Sequence, residues 1–282
     1  MYSVNYTGNG NAIGSPNVVT TDLSYIFSQC FNLSADGLNN WDVSNVSDMQ
    51  GMFLESRVFN EYIGDWDTSS ARFMNDMFAT LSDGRSTLMS YNKDLDSWNV
   101  SNVEDISNMF YGATGFDNGG QFMTSWRPRS CTDMSGMFRS AHAFNKTINA
   151  WGPSLSGVTL FKDMFRNAST FNRALDTWDV SSAINLNNMF LEAYDFNQDL
   201  NNWDVSNVKE FDYMFQHARS FNNGRLPASD PLAAVDDFTW DISSGETLRW
   251  MFTCWDRNIA PTLGVFNQRL RNWNFENVWS VR

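Results

Sequence analysis

The chain has 282 residues, 42% of them hydrophobic and 15% aromatic, with 32 acidic against 19 basic residues and a net charge of -13. That much apolar material excludes a disordered chain. The acidity excludes nucleic acid as a partner, because a phosphate backbone needs clustered Lys and Arg. Three cysteines, Cys30, Cys131 and Cys254, are too few and too scattered for a disulfide framework or a Cys-rich zinc site.

Residues 1–18 are polar, rich in Gly and Asn, and match nothing downstream, so they are expected to form an N-terminal arm or cap. They carry neither a basic n-region nor an apolar h-region, so no signal peptide is visible. No apolar run reaches membrane-spanning length, and no membrane insertion is expected. From Val19 the chain repeats itself. VTTDLSYIF is a worn first copy, with Leu23 in the slot of Met49 and Ile26-Phe27 in that of Met-Phe. Terminal copies of repeat arrays are usually atypical because one face meets water.

A tryptophan marks each unit, at Trp41, Trp66, Trp98, Trp126, Trp151, Trp178, Trp203, Trp240 and Trp273, and the shortest steps are 25 residues. Met-Phe recurs at mid-unit, from Met52-Phe53 to Met251-Phe252, and an aromatic-polar pair closes the unit, from Phe59-Asn60 to Phe266-Asn267. Val46, Met49, Met52 and Phe53 have the spacing of one helix face, which predicts a short α-helix after each WDVSN. Ser44 and Asn45 are its N-cap candidates, and Asp48 suits its dipole. A short parallel strand is expected either in the return segment, such as Phe196 to Trp203, or at Trp-Asp-Val. The expected fold class is therefore an α/β solenoid, a leucine-rich-repeat-like array of about nine units over residues 19–282 with degenerate ends.

Extra residues fall in two places. Ala79 to Ser90 and Thr253 to Val265 lengthen the link before the aromatic pair, and Asn118 to Ser125 and Asn223 to Thr239 the link after it. Insertions in repeat proteins map to edge loops, often the binding edge. The long C-terminal links lie near tryptophans outside the ladder, and interface anchors are commonly Trp, Tyr or Arg. Arg225, Trp250, Trp255, Arg257 and Trp279 are the binding candidates, with the variable slots at Lys93-Asp94 and Gln198-Asp199 as the fallback face.

FNQDLNNWDVSNVKEFDYMF (196–215), WDVSNVSDMQGMF at Trp41 and WNVSNVEDISNMF at Trp98 closely resemble the repeat of BspA-like leucine-rich-repeat surface proteins. The resemblance runs from about Val19 to Arg282. It implies a solenoid used at a surface for adhesion or recognition and supplies no catalytic residues to transfer. Trp126-Arg127-Pro128 and Trp151-Gly152-Pro153 depart from it by losing the Asp-Val pair.

Little in the chain suggests chemistry. The two histidines, His142 and His217, sit in the turn after Met-Phe in different units and read as solvated. Cys131 falls where other units carry Val46, Val103 or Val208, and Cys30 where others carry Ala113 or Ala141, so both read as small core residues. The aspartates after tryptophan (Asp42, Asp67, Asp179, Asp204, Asp241) stand a repeat apart, which favours turn formation over a calcium ladder. The asparagine after each closing aromatic is read as a stacked amide ladder, with glycan contact as the alternative. No metal, cofactor or catalytic residue is expected.

These features point to a non-enzymatic structural or binding protein, extracellular or on a virion. The partners expected are proteins of an assembly, or a surface receptor or glycan, and homo-oligomerisation is left open. The reading leans to a virion component, a capsid decoration or tail-fibre protein. Its alternative is a bacterial adhesin-like module, and a polysaccharide-active enzyme with paired carboxylates is the third.

Overall fold

The computed structural model describes residues 18, 20–33, 37–80, 89–225, 237–254 and 265–280. The arm expected over 1–18 therefore lies outside the described residues except for Val18, as do Trp255 and Arg257. Among the described residues no helix is long and apolar enough to cross a membrane.

Successive units stack as coils. Asp22, Asp48, Phe73, Asp105, Asp133, Leu160, Asn185, Glu210, Thr247 and Ser280 are linked in series by parallel one-residue bridges, each to its equivalent in the next unit. A further parallel bridge joins Asp237 to Arg269. No longer strand forms among the described residues, at either of the two places expected.

The α-helix expected after each WDVSN is not formed. The helical elements among the described residues are three 3-10 turns, Leu38–Asn40, Asn118–Gly120 and Asn149–Ser154. The segment from Leu23 onward shows what replaces the helix. The N–H groups of Leu23, Tyr25, Phe27 and Gln29 donate across to the carbonyls of Asp48, Gln50, Met52 and Leu54 in the next coil, at 2.7–3.0 Å. Between them, Ile26, Ser28 and Cys30 donate to the carbonyl three residues back. Cross-coil bonds and tight turns thus alternate, and the pattern recurs at Phe211, Tyr213, Phe215 and His217.

In the first of these turns, closed by Ile26 on Leu23, the third residue has positive φ, as a type II turn requires. That slot holds Tyr25, Gly51, Asp76, Asn108, Gly136, Asp163, Asn188, Tyr213 and Trp250, all with φ between 54° and 63°. No α-helix accommodates a left-handed residue at its centre. Met49, Met52 and Phe53 still point inward, so a run of tight turns gives the same spacing of buried residues as a helix face. Ser44 is accordingly no N-cap: it donates through N and Oγ to Asp42. Asp48 accepts from the Gln50 N–H at 3.0 Å in a local turn and has no helix dipole to serve.

The two conformations predict opposite responses at Asn188, whose φ is 58°. In a helix, Gly is worse than Ala by about 1 kcal/mol. In the left-handed slot, Asn188→Ala is expected to cost about 1–2 kcal/mol while Asn188→Gly holds or raises stability. Paired urea melts of the two variants give the order directly; Ala above Gly would return the segment to a helix.

Three aromatic columns fill the coils. The Met-Phe rings run from Phe27 to Phe252 with centroids 5.6–5.7 Å apart. The closing aromatics form a second column, each 3.8–4.1 Å from the Phe of its own coil, as in Phe53–Phe59 and Phe190–Phe196. The tryptophans form the third, with steps of 5.4–6.4 Å where neighbours stack. Trp66 to Trp273 are buried, and Trp41, in the first coil, is half-buried.

Each buried tryptophan also bonds backward. The indole N–H of Trp66, Trp98, Trp126, Trp151, Trp178, Trp203, Trp240 and Trp273 donates to the carbonyl of Leu38, Ile63, Leu95, Met123, Ile148, Leu175, Leu200 and Phe238 respectively, at 2.8–3.3 Å. Phe could fill that volume but could not make the bond.

Candidate functional site

Since the repeated slots are consumed by stacking, the surface that differs from coil to coil comes from the insertions. Asn118 to Ser125 is described throughout. It opens with Asn118, left-handed at φ 58° and wholly buried. Its Oδ1 accepts from the Leu95 N–H at 2.8 Å, and its Nδ2 donates to Asp94 at 3.0 Å and to the Phe122 carbonyl at 2.6 Å. The loop's far end is tied by Ser125, which donates to Asp96 through both N and Oγ at 2.8 Å. Between these anchors Met123 is buried and offers its carbonyl to Trp151, so it occupies the column of Leu95 and Ile63. The adjacent Phe122 points outward and is 78% exposed.

The second insertion starts with the same device. Asn223, at φ 50° and 3% exposed, accepts from the Leu200 N–H at 2.8 Å. Gly119 and Gly224 follow the two asparagines, and their N–H groups donate to Asn92 and Asn197. Phe238 closes this insertion as Met123 closes the first, buried and bonded to Trp273.

Beside the first insertion lies an open cavity of about 720 Å³, lined by Asp94, Asp96, Asn99, Ser125, Arg127 and Arg129 among others. It forms where Trp126-Arg127-Pro128 replaces Trp-Asp-Val. Arg127 turns back to donate to the carbonyls of Thr124 and Trp126 at 2.7 Å. The carboxylates of Asp94 and Asp96 both hold the insertion.

Of the candidates read from the sequence, Arg225, Trp250 and Trp279 lie among the described residues. Arg225 is exposed, and its carbonyl accepts from Asn197 at 2.8 Å. Trp250 is 38% exposed in the left-handed slot. Trp279 is 73% exposed, and its N–H donates to the Glu246 carbonyl one coil earlier. Among the described residues no ring contact joins Trp250 to Trp279. Phe122 was not among the candidates, and its insertion was recognised only as extra residues.

The residues that raised questions of chemistry serve turns and the core. Asp42, Asp67, Asp179, Asp204 and Asp241 each accept the N–H of the serine two residues on. Hydrogen bonds from Ser44, Ser69 and Ser243 hold Asp42, Asp67 and Asp241 below the usual carboxylate range. Among the described residues no three His, Cys, Asp or Glu side chains cluster closely enough to hold a metal ion. Burial pushes the Cys131 thiol up to about 12 and raises Cys30 and Cys254 as well, so none is poised as a thiolate. Partial burial lowers the pKa of His142.

The asparagines after the closing aromatics form a ladder. Oδ1 of Asn60, Asn92, Asn145, Asn172, Asn197 and Asn222 accepts the N–H of Asn92, Asp117, Asn172, Asn197, Asn222 and Asn267 in the next coil, at 2.8–3.0 Å.

No curated protein and no solved structure matches the chain. A family model does, over residues 21–151 and again over 152–227, with the second segment starting at the Trp151-Gly152 departure. With most of its length matched, the chain belongs to the repeat family described as Mycoplasma protein of unknown function, DUF285.

Proposed function

We propose that this chain is a non-enzymatic recognition module, a leucine-rich-repeat-like solenoid displayed at a cell surface, whose insertions carry the contacts. The observation that carries the reading is Phe122. A large aromatic 78% exposed on a loop pinned at both ends is already ordered for contact, so docking on it costs little further entropy. The resemblance of the WDVSNV units to BspA-like surface proteins supports the same setting. The matched family's description as a Mycoplasma protein favours a cell surface over a capsid decoration or tail fibre.

Antibody labelling of intact and permeabilised source cells tests the setting. Labelling of intact cells, lost after brief external protease treatment, is the expected result. Labelling only after permeabilisation would overturn surface display.

A further inference from the structure

A second open cavity, of about 620 Å³, lies along the asparagine ladder across five coils. It is lined by Asn145, Asn172 and Asn197, by Thr170 and Ser220, and by Arg173 and Arg219. Val265 is the one apolar residue that lines it. A lining of amides, hydroxyls and guanidinium groups matches a ligand that is itself covered in hydroxyls.

The amides are held in fixed orientation, because each Oδ1 is occupied by the backbone N–H of the following coil. Nδ2 of Asn197 is used within the protein, on the Arg225 carbonyl. Nδ2 of Asn145 and Asn172 has no protein acceptor among the described residues, which leaves two donors one coil apart. The coil step, 5.9 Å between the neighbouring rings of Phe144 and Phe171, is close to the length of one sugar residue in a linear chain.

Charge narrows the class. The chain has 19 basic residues against 32 acidic ones, and Arg57, Arg72, Arg166 and Arg249 each sit against a carboxylate. Arg173 and Arg219 do not, among the described residues. Arg173 donates Nε to the Asn145 carbonyl at 2.8 Å, and Arg219 lies 4.6 Å over the Tyr194 ring. Asp195 is the single acid lining the cavity, so two guanidinium groups face one carboxylate there. A charge left unpaired in so acidic a protein is available to an anionic ligand, and guanidinium suits carboxylate and sulfate alike.

We infer that this groove binds an acidic polysaccharide lying along the stack, with Asn145 and Asn172 donating to sugar hydroxyls and Arg173 and Arg219 pairing with its carboxylate or sulfate groups. An acidic peptide is the poorer fit, because it brings carboxylates for Arg173 and Arg219 but no hydroxyls to match the amide-rich lining. The inference rests on the recognition role proposed above and adds to it a second contact face, on the repeat units and apart from the Phe122 loop. Its test uses purified protein, so failure of surface display and failure of glycan binding are separate results.

The test is calorimetric titration of the full chain with hexasaccharides of hyaluronan (carboxylated), chondroitin sulfate (sulfated and carboxylated) and chitin (neutral), together with a hexaglutamate peptide. Acidic sugars are expected to bind at least tenfold more tightly than the neutral one, more weakly as salt rises. Which acidic sugar binds best tells carboxylate from sulfate as the group recognised. The Arg173→Gln/Arg219→Gln double variant should lose at least tenfold in affinity with an unchanged melting curve, while Arg72→Gln, outside the groove, should bind as the parent does. Neutral sugar or peptide binding as well as the acidic sugars, no binding of any sugar, or full affinity in the double variant would each overturn the assignment.

Discussion

Trp203→Ala is expected to cost about 3–5 kcal/mol, the range for truncating a large buried aromatic. Three separate losses combine there. The side chain is 3% exposed, so its removal opens a cavity in the core. Its ring stacks between Trp178 at 6.4 Å and Trp240 at 6.1 Å, so two coil interfaces lose contact. Its indole N–H satisfies the Leu175 carbonyl at 2.9 Å, which is then left without that donor. Trp203→Phe separates the terms in part: it loses the bond and keeps a buried ring in the column, at a cost of about 1–3 kcal/mol. In a stack of coils the loss is local first, because each repeat contacts only its neighbours. Hydrogen exchange should therefore rise around Trp178 and Trp240 before the far coils respond, and urea melts supply the totals. A Trp203→Ala protein that melts like the parent would mean the tryptophan column is not a structural core.

The columns were legible because large residues recur at one spacing, and a slot filled by Trp, Phe or Met in every unit can be satisfied only by burial against its neighbours. The asparagine ladder was legible for a related reason: one amide offers the donor and the acceptor that a stacked backbone requires. The conformation between the columns was misread. A chain of tight turns and a helix both place Met49, Met52 and Phe53 inward, so periodicity does not distinguish them. The distinguishing signal was present in the slot two residues after Met49. Its recurrent Gly51, Asp76, Asn108, Gly136, Asp163 and Asn188 are the residue types that tolerate a left-handed backbone, and several are poor choices for the centre of a helix.

The surface was less legible than the core. The first insertion stood out as extra residues, but Phe122 and Met123 are adjacent and both apolar. Only the coil register, in which the Met123 carbonyl meets the Trp151 indole, shows which of them fills the column and which faces water. Trp250 stood out for the opposite reason, as a tryptophan outside the ladder, and it proved to hold a turn slot that Gly51 and Gly136 fill elsewhere. Arg173 and Arg219 belong to different units, so nothing in their sequence neighbourhood brings them to one groove.

The departure at Trp151-Gly152-Pro153 has a physical cause that yields the second large effect. A Cβ built on Gly152 would lie 2.2 Å from the Thr177 carbonyl oxygen and 2.5 Å from its carbon, both backbone atoms of the next coil. The coils approach more closely here than any side chain allows, and the Gly152 carbonyl accepts the Asp179 N–H at 3.3 Å across the same contact. Gly152→Ala is therefore expected to cost about 1–3 kcal/mol or more, as overpacking does, because backbone held by cross-coil bonds cannot move aside as a flexible side chain can. The effect is one of space, since Gly152 is not among the glycines with positive φ. Gly115→Ala is the control. A Cβ at Gly115 meets nothing within 4 Å, and its φ is not positive, so that variant should be neutral or slightly stabilising. Equal melting of the two variants would mean that the coils carrying Trp151 and Trp178 do not meet at Gly152. A loss confined to Gly152→Ala, with faster hydrogen exchange at Asp179, would locate their contact there.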